Sequence, residues 1–185
     1  MSAIDVSTFE ITTDRLLLRP PREEDFPGWV AFAADPAAME FLGGVQAPSL
    51  VWRTFVGAVG GWHVQGFGIF SVIERATGDW VGRLGTIQPF GWPGTEVGWA
   101  ILPSRWGRGY ATEGAAAAIG FAVDGLGWDE VIHCIEEGNT ASERVAEKPG
   151  SVRLRTARLP APQEVEVVVW GQSAADWRTR RSGVS

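Results

Sequence analysis

The segment 105–113, which reads RWGRGYATE, is the feature that most restricts how this chain can fold. It follows an apolar stretch, 96–102, that Pro103 ends, and it precedes an Ala-rich stretch, 110–124, with apolar residues at helical spacing. This order predicts a strand, a turn with two glycines and a helix. Glycines let the main chain approach a ligand, and the first N–H groups of a helix lack partners within it. The segment is therefore typical of an anion-binding turn, although a strand-to-helix turn with two glycines also occurs without that role.

Two common phosphate-binding motifs fit this segment poorly. A Walker loop requires a Lys after its second conserved glycine, and the segment contains no Lys. A dinucleotide-binding fingerprint requires a third glycine, where this chain has Thr112, and it requires a preceding βαβ unit. The upstream stretches 67–74 and 80–89, joined by the turn 76–79, instead predict an antiparallel hairpin.

The remaining hydrophobic pattern predicts one mixed α/β domain over residues 1–175, followed by a flexible tail, 176–185. At 185 residues the chain has the length of a single domain. We expect further strands at 11–19, 131–136, 152–158 and 164–170, and further helices at 22–35, from Ser49 onwards and at 139–147.

Composition excludes several classes of protein. Sixteen Lys and Arg against 22 Asp and Glu give a net charge of −6, which argues against broad electrostatic binding of nucleic acid or an anionic membrane. The single Cys134 forms no internal disulfide, and one Cys with two His offers no metal-binding cluster. With no apolar run long enough to span a membrane and no export signal, we expect a cytoplasmic protein.

Four segments together resemble the GNAT N-acetyltransferases, and most closely their ribosomal-protein (RimJ/RimL-type) branch. They are 13–20 (TDRLLLRP), 96–99 (EVGW), 106–113 (WGRGYATE) and 139–148 (NTASERVAEK). The resemblance implies a central, mostly antiparallel sheet splayed into a V, with helices on both faces. It also implies direct transfer of an acetyl group from acetyl-CoA to a primary amine, on a protein N-terminus or a small molecule, without a metal. A homodimer is compatible with it.

The resemblance also assigns roles to individual residues. Glu96 would accept the proton of the amine, and Ser142 would protonate the leaving thiolate, while the alternative is that both are ordinary surface residues. Asn139 would bind the pantetheine arm, or would only cap a helix. The remaining residues expected to bind the cofactor are Val97, Trp99, Ala100, Ile101, Arg105, Gly107, Arg108, Gly109, Tyr110, Ala111 and Thr112.

The acceptor is expected to be cationic, because the net negative charge attracts an ammonium group. The ring faces of Trp92 or Trp99 would hold it by cation–π contact, unless both rings belong to the core.

Two departures from the family pattern bear on function. Trp106 stands where the general motif has Gln or Arg, so phosphate binding would depend on the backbone and Arg108. Pro149 follows Glu147-Lys148, and a residue before proline is disfavoured in the α region, so we expect Lys148 to leave it and the closing helix to shorten. This departure favours an alternative function, a non-catalytic acyl-CoA-binding or interaction module on the same fold.

Overall fold

The computed structural model describes residues 4–183. These residues form a mixed α/β structure whose strands belong to one sheet in the order β1-β2-β3-β4-β5-β6-β8-β7, antiparallel in most of its pairs. The strands are β1 (Ile11–Thr12), β2 (Leu16–Arg19), β3 (Ile69–Glu74), β4 (Trp80–Ile87), β5 (Glu96–Ile101), β6 (Glu130–Ile135), β7 (Val152–Arg158) and β8 (Glu166–Ser173). The α-helices are α1 (Phe26–Ala33), α2 (Pro36–Met39), α3 (Pro48–Gln65), α4 (Tyr110–Gly120), α5 (Thr140–Glu147) and α6 (Ala174–Ser182).

Most of the predicted elements are present. The hairpin of β3 and β4 is antiparallel, as its turn predicted, and the final pair β7 and β8 is antiparallel as well. The predicted strand 11–19 is wrong in one respect, because the chain turns back at Thr13 and forms the short hairpin β1–β2. The Thr13 N–H donates to the Leu16 carbonyl, and the Thr13 hydroxyl accepts from the Leu16 N–H, so local bonds favour the turn.

The chain divides into two compact units. The first contains the residues up to Gly85 and Trp99–Gly114. Its core is aromatic: Trp29 and Phe32 of α1 pack with Phe55 of α3, with Trp29 and Phe55 edge to face at 5.4 Å between ring centroids. The side chain of Leu84, on β4, occupies the space that a Cβ at Gly114 would need, so α4 packs closely on this strand.

The second unit contains Thr86–Gly98 and the residues from Ala115 onwards. Strands β6 and β8 pair antiparallel over six residues, and β7 covers the outer edge of β8. Ala115, Ala118 and Ile119 of α4 are fully buried, as expected for its predicted apolar stripe. The helix continues through a π-helical turn, Phe121–Gly125.

The flexible tail predicted from residue 176 is wrong through Ser182, because this stretch belongs to α6. Ser173 caps the helix by accepting from the Asp176 N–H. Trp177 is only 6% exposed, and Arg178 and Arg181 both bind Asp124. Burial of this large indole ring favours order in a short terminal helix whose composition is otherwise polar. Residues 184 and 185 of the predicted tail lie outside the described residues.

The expected effect of Pro149 is also wrong, because Lys148 stays in the α region, with φ −59° and ψ −45°. Helix α5 reaches Glu147, and the Gly150 and Ser151 N–H groups close its end by donating to the Glu147 and Ala146 carbonyls. Gly150 has φ +106°, and a Cβ there would lie 2.1 Å from the Arg180 Nε, so this turn requires glycine. The turn satisfies the helix end despite the proline.

No helix within residues 4–183 combines the length and the apolar character that crossing a membrane requires.

A buried ion pair joins β2 to the start of α1. Both nitrogens at the tip of Arg19 donate to Asp25, at 2.7 and 2.9 Å, and the Ser71 hydroxyl donates to the same carboxylate at 2.7 Å. Arg19 and Asp25 are both almost completely buried. Such a pair makes each partner dependent on the other, because either charge alone would be buried without compensation.

We expect Asp25→Asn to lower the free energy of unfolding by about 3 kcal/mol, because it leaves the Arg19 charge buried without its carboxylate. Urea denaturation would measure the change. Glu24→Gln is the matched control: Glu24 binds the same guanidinium at 3.0 Å but is 68% exposed, so we expect a loss below about 1 kcal/mol. Equal losses in the two variants would show that burial does not set the strength of the Arg19–Asp25 pair.

Candidate active site

The glycine-containing turn adopts the conformation that the sequence predicted. Gly107 and Gly109 have φ of +74° and +81°, and α4 begins at Tyr110. Within residues 4–183, the N–H groups of Gly107, Arg108, Gly109 and Ala111 have no hydrogen-bond acceptor. The turn therefore presents several unpaired donors at the positive end of a helix, which is a geometry suited to an anion.

Glu74, at the end of β3, holds the turn in place through several hydrogen bonds. Its carboxylate accepts hydrogen bonds from the Tyr110 and Thr77 hydroxyls and from Arg105, the last at 2.6 Å. The hydrogen bond from Tyr110 is the main cause that holds the pKa of Glu74 below its usual value. Arg105 reaches Asp79 with its other nitrogen, also at 2.6 Å. The Arg105 guanidinium, which we expected to bind the cofactor, therefore binds two carboxylates of the protein itself.

Arg15 and Glu113 also hold the turn in place. Glu113 accepts from the Thr13 hydroxyl at 2.6 Å and from the Arg15 backbone and Nε at 2.9 and 2.7 Å. Arg15 also donates to the Arg108 carbonyl at 2.8 Å, and its guanidinium lies 4.8 Å above the Tyr110 ring. These contacts fix both the first turn of α4 and the carbonyl between the two glycines.

Arg108 differs from Arg105 in that its charge is largely free. The side chain is 51% exposed, and its nearest carboxylate oxygen, on Glu74, lies 3.9 Å away. A contact of that length at an exposed position contributes little, so the guanidinium is available to a ligand.

In the second unit, Glu96 is a buried carboxylate, 5% exposed, at the start of β5. One oxygen accepts from the Cys134 backbone N–H at 3.1 Å, and the other accepts from the Trp92 indole N–H. Burial raises the pKa of Glu96, although these hydrogen bonds oppose the change. The structure thus brings together Glu96 and Trp92, for which we expected separate roles in catalysis and in substrate binding.

His133 lies beside Glu96 in the same part of the fold. Strands β5 and β6 run parallel and share the register pair Glu96 and Ile132. At the next residue, the Val97 carbonyl is bound by His133 Nδ1 at 2.6 Å, and His133 Nε2 lies 3.0 Å from the Ser151 hydroxyl. Because a carbonyl only accepts, Nδ1 carries the proton of the neutral ring. Burial lowers the pKa of His133 to about 4, so the ring is neutral at neutral pH.

Asn139 caps α5, because its side-chain oxygen accepts from the Ser142 N–H at 3.1 Å. The capping role that the sequence left open is therefore present, and the side-chain amide group of Asn139 is not used by this bond. Ser142 is half-buried in the first turn of the helix.

The two units each contain part of the predicted set. The second unit holds Trp92, Glu96, Val97, Asn139 and Ser142. The first unit holds Trp99, Ala100, Ile101, Arg105, Gly107, Arg108, Gly109, Tyr110, Ala111 and Thr112. Trp99 is half-buried, and the Ile101 carbonyl accepts from the Trp106 indole N–H at 2.7 Å.

Sequence reasoning missed the residues that hold the turn: Glu74, Arg15 and Glu113. Arg15 and Glu113 fall within segments that carry the family resemblance, so a signal for them was present. No sequence signal distinguished Glu74, because an acidic residue at the end of a strand is common. The part of the chain that the structure describes contains no group of three or more His, Cys, Asp or Glu able to hold a metal ion.

Residues 15–152 match the family model described as an acetyltransferase (GNAT) domain. The chain belongs to the GNAT acetyltransferase family. The predicted fold class and enzyme class are confirmed: this GNAT protein is an N-acetyltransferase, and acetyl-CoA is its acetyl donor.

Relatives agree with this assignment. YkkB of Bacillus subtilis (strain 168), an uncharacterized protein, is 28% identical over 157 residues, which are 80% of this chain and 88% of YkkB. YnaD of the same organism, an uncharacterized N-acetyltransferase, is 27% identical over 143 residues, 77% of this chain and 82% of its own. The crystal structure of an acetyltransferase from Agrobacterium tumefaciens has a TM-score of 0.78 and 29% identity, covering 89% of this chain and 94% of that one.

We expect Arg108→Gln to weaken CoA binding by about 10-fold or more, because a charge-assisted contact to a phosphate is stronger than a neutral hydrogen bond. Its melting temperature should stay near that of the parent. Arg105→Gln is the comparison: it removes two ion pairs beneath the turn and should lower the melting temperature. Titration calorimetry and thermal unfolding measure both effects, and an unchanged CoA affinity in Arg108→Gln would contradict the assignment.

His133 should make stability depend on pH between about 4 and 6.5. The unfolded chain takes up a proton near pH 6.5, whereas the folded ring takes one up only near pH 4, so stability is present above this window and is lost as pH falls through it. The contribution is on the order of 3 kcal/mol. Urea denaturation of the parent and of His133→Phe at pH 7 and pH 5 isolates it, and an equal loss in both proteins would exclude His133 as the cause.

Proposed function

We propose that this enzyme transfers the acetyl group of acetyl-CoA directly to a primary amine, with Glu96 as the base, in the manner of the RimJ/RimL-type branch. The observation that carries the proposal is the buried Glu96 carboxylate, held by Trp92 and the Cys134 backbone. An ammonium group must lose a proton before its nitrogen can attack a thioester. A carboxylate with a raised pKa is better matched to that proton than an exposed one.

The turn 107–112 supports the binding of the donor. Its unpaired N–H groups and the exposed Arg108 supply hydrogen bonds and charge for a pyrophosphate, and the open space around Gly107 leaves room for it. The backbone of β5 from Val97 to Ile101 would bind the pantetheine arm through those groups that remain free. The Val97 and Ile101 carbonyls already accept from His133 and Trp106, which limits the arm to the other groups of this strand.

The reaction removes two protons from the nitrogen and adds one to the leaving sulfur. Glu96 takes the first proton from the ammonium group, directly or through a water molecule, and the amine nitrogen bonds to the acetyl carbon. The carbon–sulfur bond breaks, and the Ser142 hydroxyl gives its proton to the thiolate. The nitrogen loses its second proton as the amide forms, water carries that proton to the Ser142 oxygen, and Glu96 releases the first proton to solvent. Asn139 would orient the pantetheine arm with its free amide group while its oxygen caps α5. Trp92 and Trp99 would face the ammonium group of the acceptor.

The alternative of a non-catalytic module rested on the expected disturbance at Pro149. Helix α5 extends to Glu147 and closes normally, so the segment that presents Asn139 and Ser142 is undisturbed. This supports the catalytic proposal. We also expect the enzyme to act in the cytoplasm. A homodimer is compatible with the proposal.

Release of CoA thiol from acetyl-CoA, measured with a panel of primary amines, tests the proposal. We expect turnover with at least one amine, and we expect Glu96→Gln to lower kcat/KM by about 100-fold while CoA affinity stays nearly intact. In the parent, kcat/KM should fall on the acid side as Glu96 takes up its proton. This acid limb should be absent from Glu96→Gln.

Glu136→Gln is the matched control, because Glu136 is half-buried just beyond β6 and takes no part in the proposed reaction. CoA binding without turnover across the whole panel would favour the non-catalytic module. Turnover by Glu96→Gln with a pH profile that overlays that of the parent would remove Glu96 from the mechanism.

A further inference from the structure

Arg83, in the middle of β4, carries a charge that the described part of the protein does not neutralise. Its guanidinium carbon lies 4.7 Å from the centroid of the Trp29 ring and 5.8 Å from that of Phe32, both on α1. This half-buried side chain forms no ion pair and no hydrogen bond with residues 4–183. A guanidinium has five N–H donors, so aromatic contact alone leaves its hydrogen-bonding capacity unused.

Asp25, the acid that contacts the residue opposite Arg83, is already occupied. Arg83 lies opposite Ser71 of β3, and the Ser71 hydroxyl donates to Asp25. Asp25 in turn neutralises Arg19 and accepts from the Arg22 N–H. Burial lowers the pKa of Arg83 to about 10, and no neighbouring charge contributes to that change, so the group stays cationic at neutral pH without a counter-ion.

Trp29 provides a second unused donor at the same place. Its side chain is 3% exposed, and its indole N–H has no hydrogen-bond partner among the described residues. Buried polar atoms are nearly always paired, so an unpaired N–H within the ring that contacts Arg83 calls for an explanation. Arg83, Trp29 and Phe32, which we term the Arg83 cluster, thus combine two kinds of donor with no acceptor.

The Arg83 cluster lies on the opposite face of β4 from the phosphate-binding turn. The Leu84 side chain packs against Gly114 of α4, the helix that this turn begins. Adjacent residues of a strand point to opposite faces, so Arg83 points away from α4 and towards α1. A pyrophosphate held by Gly107 and Gly109 therefore does not serve as the partner of Arg83.

The Arg83 cluster nevertheless lies next to β5. The Leu102 N–H donates to the Val81 carbonyl, and a Cβ at Gly82 would contact the Ala100 carbonyl. Arg83 is thus beside the stretch of β5 around Ala100, along which the proposed function places the acetyl donor. Ala100 packs against the core that contains Trp29 and Phe32, so a carboxylate on a second substrate bound at this stretch would lie close to the Arg83 guanidinium.

We propose that Arg83 binds a carboxylate of the acceptor, so that the preferred amine belongs to an amino acid or a peptide with a carboxylate close to its amino group. A guanidinium binds a carboxylate through two parallel hydrogen bonds, which fixes the orientation as well as the charge. The inference rests on the proposed function, because it assumes an amine acceptor. It is compatible with a cationic amino group on the same molecule, since a free amino acid carries both charges.

Matched acceptors that differ only in one carboxylate test this proposal. L-phenylalanine and L-phenylalaninamide differ at the α-carboxylate, and short amidated peptides with Glu or Gln as the second residue differ at a side chain. In at least one of these pairs we expect the carboxylate form to have a kcat/KM about 10-fold higher. In Arg83→Gln, the KM for the carboxylate form should rise until the two forms have nearly equal kcat/KM. Activity on the amide form should be unchanged.

Two further variants separate binding from folding. Arg83→Lys keeps the charge but loses the two parallel bonds, so we expect it to retain part of the preference, and it carries the test if Arg83→Gln folds poorly. Arg53→Gln removes the same charge from the exposed face of α3 and should behave as the parent. A parent with no carboxylate preference in either pair, or a preference that survives in Arg83→Gln, would overturn the inference.

A binding measurement keeps the inference separate from the proposed function. The same pairs are titrated by calorimetry onto the protein saturated with CoA, which requires no acetyl transfer. Carboxylate binding that depends on Arg83 without any turnover would overturn the proposed function but support the carboxylate site at Arg83. Loss of affinity for CoA but not for dephospho-CoA in Arg83→Gln would instead assign Arg83 to the 3′-phosphate of the donor and overturn the inference.

Discussion

The carboxylate of Glu74 is the contact on which the glycine-containing turn most depends. It accepts from Tyr110 at the start of α4, from Arg105 before the glycines and from Thr77 in the β3–β4 hairpin turn. One acid therefore connects three separate stretches of the first unit. Because the turn contains two flexible glycines, Gly107 and Gly109, its shape depends on such neighbours more than on local preference. The contact between Arg15 and Glu113 has the same role on the other side.

The sequence predicts the turn and its flanking elements well because their signals are local: glycines at fixed spacing, a strand that ends at a proline and a helix with an apolar stripe. Glu74 and Arg83 were not predictable in this way. Their roles depend on which residues the sheet brings beside them, and neither an acid at a strand end nor an arginine in a strand is unusual. The family resemblance indicated Glu96, but not that Trp92 and Cys134 would hold its two oxygens.

The wrong predictions for the end of α5 and for the stretch that forms α6 have a common origin. Local rules disfavour the α region before Pro149 and disfavour order in the polar stretch after residue 176. Tertiary contacts outweigh both preferences: the closing bonds of α5 accommodate the proline, and burial of Trp177 orders α6. Arg180 connects the two regions, since its side chain fills the space beside Gly150. Weak local preferences of about 1 kcal/mol are readily overcome by one buried aromatic ring.

The bond from Arg15 to the Arg108 carbonyl spans 93 residues of sequence and joins the β1–β2 hairpin to the glycine-containing turn. Opening of that hairpin would break this bond and loosen the turn, so opening of the hairpin and opening of the turn are coupled. A ligand that binds only the ordered turn must then slow the exchange of amide hydrogens in the hairpin, which it does not touch. Amide exchange in β1 and β2 would therefore reveal whether a ligand occupies the turn.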